Sequence, residues 1–194
     1  MDELSIDIHR EVYLVPWKKE WAHIFRMEKQ NILAALAASE HTADIRHVGS
    51  TSVRDMIAKP IIDIQICPDK GTPLEAIIAD LEHIGYKNLG DGGRVGRYFL
   101  SRGDKPNETF YVHLCYEDNQ VAKDQLTFKW IEGTNLTVRR KYKRLKIMLA
   151  EAFSDDREMY RELKGLFIEG VLSAYRQAAG EDFEEGLSQV NGIV

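Results

Sequence analysis

Cysteine is scarce in this chain: Cys67 and Cys115 are the only two in 194 residues. They are far apart in sequence, with no Cys-x-x-Cys and no paired Cys/His spacing, which excludes a zinc finger and a disulfide-stapled scaffold. Each lies in an apolar, strand-like run, so buried, reduced thiols are the expectation. Long apolar runs are missing too. The longest uncharged apolar stretch, Ile32 to Ala38, falls far short of a bilayer crossing. The opening MDELSIDIHREVYLV carries acids where a signal peptide needs a basic and then an apolar stretch, so the expected place is the cytoplasm, away from any membrane. A basic surplus is likewise lacking: 26 Lys+Arg stand against 31 Asp+Glu, a net charge of −5, which argues against a nucleic-acid coat.

What is present is a chain with 44% hydrophobic residues, enough for one folded core. Residues 1–11 read as an N-terminal extension, 12–178 as a single domain, and 179–194 as an acidic, glycine-punctuated flexible tail. Trp17, Trp21, Ile24, Phe25, Ile32 and Leu36 recur at helical spacing and predict a helix over 18–38. A short strand follows over 44–48, then the small-residue turn Gly49-Ser50-Thr51-Ser52 and a brief helix to Ala58. The β-branched run 61–67 predicts a strand. Thr72-Pro73-Leu74-Glu75 reads as a cap, an N1 proline and an acid opening a helix that ends at Gly85. Strands are expected over 97–101 and 109–116, and helix from Asn119 onward, with Asp155 and Glu158 capping the last one. The sum is an α/β (α+β) domain: a mixed sheet flanked by helices, with a helical C-terminal portion.

Chemistry concentrates at Arg46-His47-Val48-Gly49-Ser50-Thr51-Ser52 and at Lys59-Pro60-Ile61-Ile62-Asp63-Ile64-Gln65-Ile66. A strand that runs into Gly-Ser-Thr-Ser suits phosphate, because glycine lets a ligand approach the backbone and the hydroxyls supply donors; an ordinary capping turn reads the same way. Asp63 and Gln65 share one strand face, Ile62, Ile64 and Ile66 the other. A carboxylate in an apolar strand is costly to bury alone, so Asp63 should meet a cation, a donor or solvent; Lys59 and Arg46 are the nearby charges. His113 shares a strand face with Tyr111 and Cys115, as a ligand or as a core histidine. His47 either lines the same pocket or caps the sheet edge. The loop Gly90-Asp91-Gly92-Gly93-Arg94-Val95-Gly96 fails the dinucleotide pattern, which would need glycine at Val95. It is a hairpin connection, or a flap whose Arg94 or Arg97 reaches a phosphate. The basic run Arg139 to Lys146 is a solvated helix face or a phosphate contact.

These motifs resemble the GrpB-like family, a bacterial group with a nucleotidyltransferase-like fold. The resemblance spans roughly Val12 to Tyr175. It rests on Val15-Pro16 with Trp21, His47-Val48-Gly49-Ser50-Thr51-Ser52-Val53 and Ala58-Lys59-Pro60-Ile61-Ile62-Asp63-Ile64. It continues through Gly85-Tyr86, Arg97-Tyr98-Phe99, His113, Phe128-Lys129, Tyr142 with Leu145-Lys146, and Asp155-Asp156-Arg157 through Ile168.

The resemblance implies nucleotide binding, with Gly49, Ser50, Thr51, Arg97 and Lys146 toward phosphate and Asp63 holding Mg²⁺. Lys59 would neutralise developing charge beside Asp63 as the second catalytic residue, and His47, Gln65 and His113 would be candidate pocket residues. Two metals on paired strand acids are the superfamily's arrangement; here Gln65 stands at the second acid, Arg54-Asp55 replace a usual Pro-Gly, and Phe110-Tyr111 replace residues that are often His. GrpB-like domains also occur fused to dephospho-coenzyme A kinase. Three functions follow: a metal-dependent nucleotidyltransferase acting on an unidentified acceptor, an inactive module binding a nucleotide or another phosphate-bearing small molecule, or, least favoured by the charge, an RNA-binding protein working through residues 139–146. Arg46, Lys59, Arg94, Arg97 and Lys146 are the cations expected to gather at the site.

Overall fold

The computed structural model describes residues 12–103 and 110–179. Helix α1 spans Glu20–Ala38, followed by strand β1 (Ala43–Val48), a single 3-10 turn at Ser50–Ser52, strand β2 (Ile62–Pro68) and helix α2 (Leu74–His83). Then come β3 (Lys87–Asn88), β4 (Tyr98–Arg102), β5 (Phe110–Leu114) and helices α3 (Gln120–Thr134), α4 (Leu136–Ala152) and α5 (Arg157–Ala179). The described chain divides into two compact units. One is Val15–Gln125, the sheet with α1 and α2; the other takes in residues 12–14 and 126–179.

The sheet order is β1-β2-β5-β4-β3, with β2 and β5 parallel and every other pair antiparallel. Ile62, Ile64 and Ile66 of β2, with Val112 and Leu114 of β5 and Leu100 of β4, are buried along one face. There α1 packs on β1, β2 and α2, and Ile32 and Leu36 are fully covered. Each such aliphatic side chain contributes about 1.5–3 kcal/mol of burial. Glu28 of α1 is also buried, and it accepts hydrogen bonds from Tyr86 at 2.8 Å and from Arg102 of β4, so the charge is paired where water cannot reach.

Several expected boundaries move. No helix follows the Ser50–Ser52 turn: Ala58 instead pairs with Val15 in an isolated antiparallel bridge, and Asp55 adopts a φ of +66°. Asp is among the few side chains that tolerate this left-handed conformation. The cap of α2 is one residue later than Thr72, with Pro73 itself in the extended N-cap position and no side-chain cap bond. The helical stretch after Asn119 is broken at Asn135, whose side chain caps α4 by accepting from the amides of Thr137 and Val138. In the last helix Asp156, rather than Asp155, accepts from the Met159 amide at 2.9 Å. The short strand β3 was not expected at all; two exposed residues carry too little pattern to announce themselves. The anticipated extension at 1–11, Thr109 and residues 180–194 of the tail lie outside the described residues.

Candidate functional site

Strand β1 ends where Val48 pairs with Asp63 of β2, and the chain turns at once through Gly49. Gly49 has φ +69°, and a Cβ built on it would lie 2.4 Å from Asp63 Oδ2. Glycine is required twice here, by the backbone conformation and by the carboxylate occupying the place of a side chain. The turn is tightened by the Ser52 hydroxyl and amide, which both donate to the Gly49 carbonyl at 2.6 and 3.1 Å. Thr51 is buried, and its hydroxyl donates to the Ile61 carbonyl at 3.1 Å. The Trp17 indole donates to the Thr51 carbonyl at 3.2 Å. Asp63 remains partly open, its side chain 29% exposed, in a strand that is otherwise buried.

Beside Asp63, a chain of polar contacts runs across the sheet. His113 Nε2 is 3.5 Å from Asp63 Oδ1, and Arg97 Nη1 is 3.1 Å from His113 Nδ1. A guanidinium only donates, so Nδ1 must accept and the proton of a neutral His113 sits on Nε2, directed at Asp63. Burial holds His113 below its ordinary pKa, outweighing the upward pull of Asp63, with Arg97 and Arg94 acting in the same direction as burial. Arg97 is itself buried and is tied to the loop ahead of β4: its Nε and Nη2 donate to the Asp91 carbonyl at 3.2 and 2.7 Å. That loop joins β3 to β4 as a hairpin connection, the plainer of its two readings.

Gln65 does not stand in for a second acid. It is fully buried, its Nε2 donating to the Ala122 carbonyl at 3.0 Å and to Gln125 Oε1 at 2.9 Å, while Arg46 approaches its Oε1 at 3.4 Å. The amide nitrogen is committed to holding the start of α3 against the sheet, and the oxygen accepts from Arg46 of β1. Several of the expected cations within this unit are engaged or placed elsewhere. Arg46 pairs with Asp44 and Glu117, Arg97 is spent on Asp91 and His113, and Arg94 is exposed in the loop. Lys59 is half-buried just before β2. His47 projects to the opposite face from Asp63: its register partner is Ile64, and its ring stacks on Phe25 of α1 at 4.8 Å. Because the Thr51 hydroxyl gives its proton to Ile61, the 3.0 Å contact from His47 Nε2 is a donation to Thr51. Lys146 belongs to the helical unit, where it is buried over the Tyr142 ring and faces Glu132. The structure thus brings together Gly49, Ser50, Thr51, Asp63, His113 and Arg97. Sequence reasoning missed Trp17 and Gln125, whose partners lie 34 and 60 residues away.

The model of a family described as GrpB protein matches residues 11–174. The UPF0157 protein YqkA of Bacillus subtilis is 28% identical over 186 residues, covering 95% of this chain and 52% of the relative. The chain therefore spans about half the length of that curated relative. The crystal structure of GrpB from Enterococcus faecalis superposes with a TM-score of 0.70 at 28% identity, over 84% of this chain and 98% of the other. The structure of the GLD-2/RNP-8 complex shares the fold alone: TM-score 0.56 at 11% identity, over 87% of this chain and 68% of the other. The mixed sheet with its flanking helices is a nucleotidyltransferase-like fold.

Proposed function

This chain belongs to the GrpB family, and from that premise we propose that it binds a nucleotide, or another phosphate-bearing small molecule, where the Gly49 turn meets Asp63. The observation that carries this reading is the packing of a partly open carboxylate directly against a glycine turn at the end of β1. A bare phosphate would be repelled by Asp63, so the reading includes a divalent cation carried in with the nucleotide. Mg²⁺ is commonly held by one or two carboxylates together with substrate phosphates, and Asp63 fits that role. A pair of resident metals does not fit. Gln65 is neutral and fully engaged, and among the described residues no group of three or more His, Cys, Asp or Glu could hold a metal ion. Bound there, the cation would offset phosphate charge.

The chain's own residues divide the remaining work. Gly49 gives the ligand access to backbone, Ser50 offers a hydroxyl at the turn, and Lys59 supplies positive charge at the entrance to β2. His113, with its proton on Nε2, holds the Asp63 carboxylate in place, and Arg97 fixes the tautomer. The commitment of Gln65 favours binding without nucleotidyl transfer over the two-metal reaction. The test incubates wild type and Asp63→Ala with each labelled nucleoside triphosphate and Mg²⁺ or Mn²⁺, and reads both binding and pyrophosphate release. Saturable binding, weakened about tenfold or more by the substitution (about 1.4 kcal/mol), is expected, without release. Metal-dependent release abolished by Asp63→Ala would instead establish transfer. Absence of binding to either protein would overturn the reading.

A further inference from the structure

Cys67 and Cys115, distant in sequence, end up side by side. Strands β2 and β5 run parallel with Ile66 opposite Leu114, so the next step of the register sets Cys67 beside Cys115. The Cys115 amide still donates to the Ile66 carbonyl at 3.2 Å, which keeps the two backbones paired at this point. Neighbouring strands lie about 4.8 Å apart, inside the roughly 4.4–6.8 Å between Cα atoms that a disulfide spans. Pro68 follows Cys67 and has no N–H to extend the ladder toward β5, so the pair lies at the end of that ladder, while β2 stays paired with β1 through Asp44 and Ala43.

The surroundings suit sulfur chemistry. Both thiols are free, with Cys67 4% exposed and Cys115 fully covered, and Ala122 at the start of α3 completes the cluster. The two side chains are in hydrogen-bond contact, and the Ala122 amide also bonds to Cys115. Their mutual hydrogen bond and burial keep the proton on Cys67, whereas the same bond, helped by Arg97, lowers the pKa of Cys115 and favours its thiolate. Small size and residual access at Cys67 match a compact oxidant rather than a bulky one.

We propose that Cys67 and Cys115 are an oxidation site that a hydroperoxide closes into an intramolecular disulfide between β2 and β5. The Cys115 sulfur attacks the peroxide O–O bond and becomes a sulfenic acid, the proton of the pair leaving with the departing oxygen as water or alcohol. The Cys67 sulfur then attacks the Cys115 sulfur; the S–O bond breaks and hydroxide leaves as water with the remaining thiol proton. Two electrons pass from the thiols to the peroxide, and one S–S bond forms. This reading is independent of nucleotide binding.

The full native chain is treated with graded hydrogen peroxide, quenched, unfolded and exposed to a maleimide, and its intact mass and protease fragments are measured. The expected product is a monomer that takes up no maleimide, yields a Cys67–Cys115 linked peptide, and regains both reactive thiols after dithiothreitol. The proposal is overturned if both cysteines still accept maleimide, if the chain gains oxygen atoms without a link, or if the disulfide joins two chains. Wild-type protein supplies the whole readout, so no variant has to fold.

Discussion

Gly49→Ala is expected to be far more damaging than alanine at another left-handed glycine. At φ +69° and ψ −178° the backbone lies in a region essentially reserved for glycine, which alone costs an alanine roughly 1–3 kcal/mol. The new methyl group would also lie 2.4 Å from Asp63 Oδ2 and 3.0 Å from Asp63 Cβ, so the carboxylate or the turn must move. Gly93 provides the comparison: its φ is +78°, but a Cβ there meets nothing within 4 Å. Denaturant unfolding should therefore show Gly93→Ala losing only the backbone cost, and Gly49→Ala losing that plus an overpacking cost of about 1–3 kcal/mol. Adding Asp63→Ala to Gly49→Ala should recover part of the loss, because the two sites are in contact and not additive. Equal losses at Gly49 and Gly93 would mean that the turn does not press on Asp63.

The second large effect lies in the helical unit. Lys146 and Glu132 are each only 1% exposed, and they face one another together with Lys164 and Arg139. Burial pushes the Glu132 carboxyl up to about 7, against the pull of those cations. Lys146→Met should therefore add up to about 1.4 kcal/mol at pH 8 to its packing loss, one pH unit's worth above the wild-type value, because the uncompensated carboxyl takes up a proton. The pH dependence has a definite sign. With a folded pKa above its unfolded one, Glu132 binds more protons when folded, so stability falls as pH rises from about 4.5 to about 7. Losing Lys146 raises the folded value further and extends that fall to higher pH. At pH 5 the carboxyl is neutral in the folded chain, and only the packing loss remains. Thermal unfolding of wild type and Lys146→Met across this range checks the prediction; a penalty that does not vary with pH would contradict it.

These two cases show where the sequence was legible. The β-branched alternation at 62–66 correctly separated Asp63 and Gln65 from the isoleucines, because a strand's faces follow from its period. A turn at Gly49-Ser50 was legible from residue type, but an ordinary capping turn reads the same way, and the approach of Asp63 was not announced. What strand pattern cannot carry is the identity of a partner in another element. Gln65, at the position of a second acid, was a candidate pocket residue, but Ala122 and Gln125 take its amide nitrogen. Lys146 looked like a phosphate contact, but it faces a carboxylate fourteen residues earlier that no motif had marked. His47 lies next to the turn in sequence, yet strand alternation turns it toward Phe25. The helix break at Asn135 was readable in principle, since Asn followed by two residues with capped amides is an N-cap signature hidden in a continuous polar run.

The central claim is that a nucleotide engages the Gly49 turn through Asp63. Trp17 offers a direct reporter, because its indole N–H donates to the Thr51 carbonyl within that turn. The chain has three tryptophans, so its indole ¹H–¹⁵N resonances can be assigned by single substitutions. Titrating Mg²⁺ with a nucleoside triphosphate into the full chain should move the Trp17 indole resonance saturably, and Asp63→Ala should displace that titration to about tenfold higher nucleotide or more. A Trp17 resonance that stays fixed through saturating nucleotide, or that moves identically without Asp63, would contradict the account.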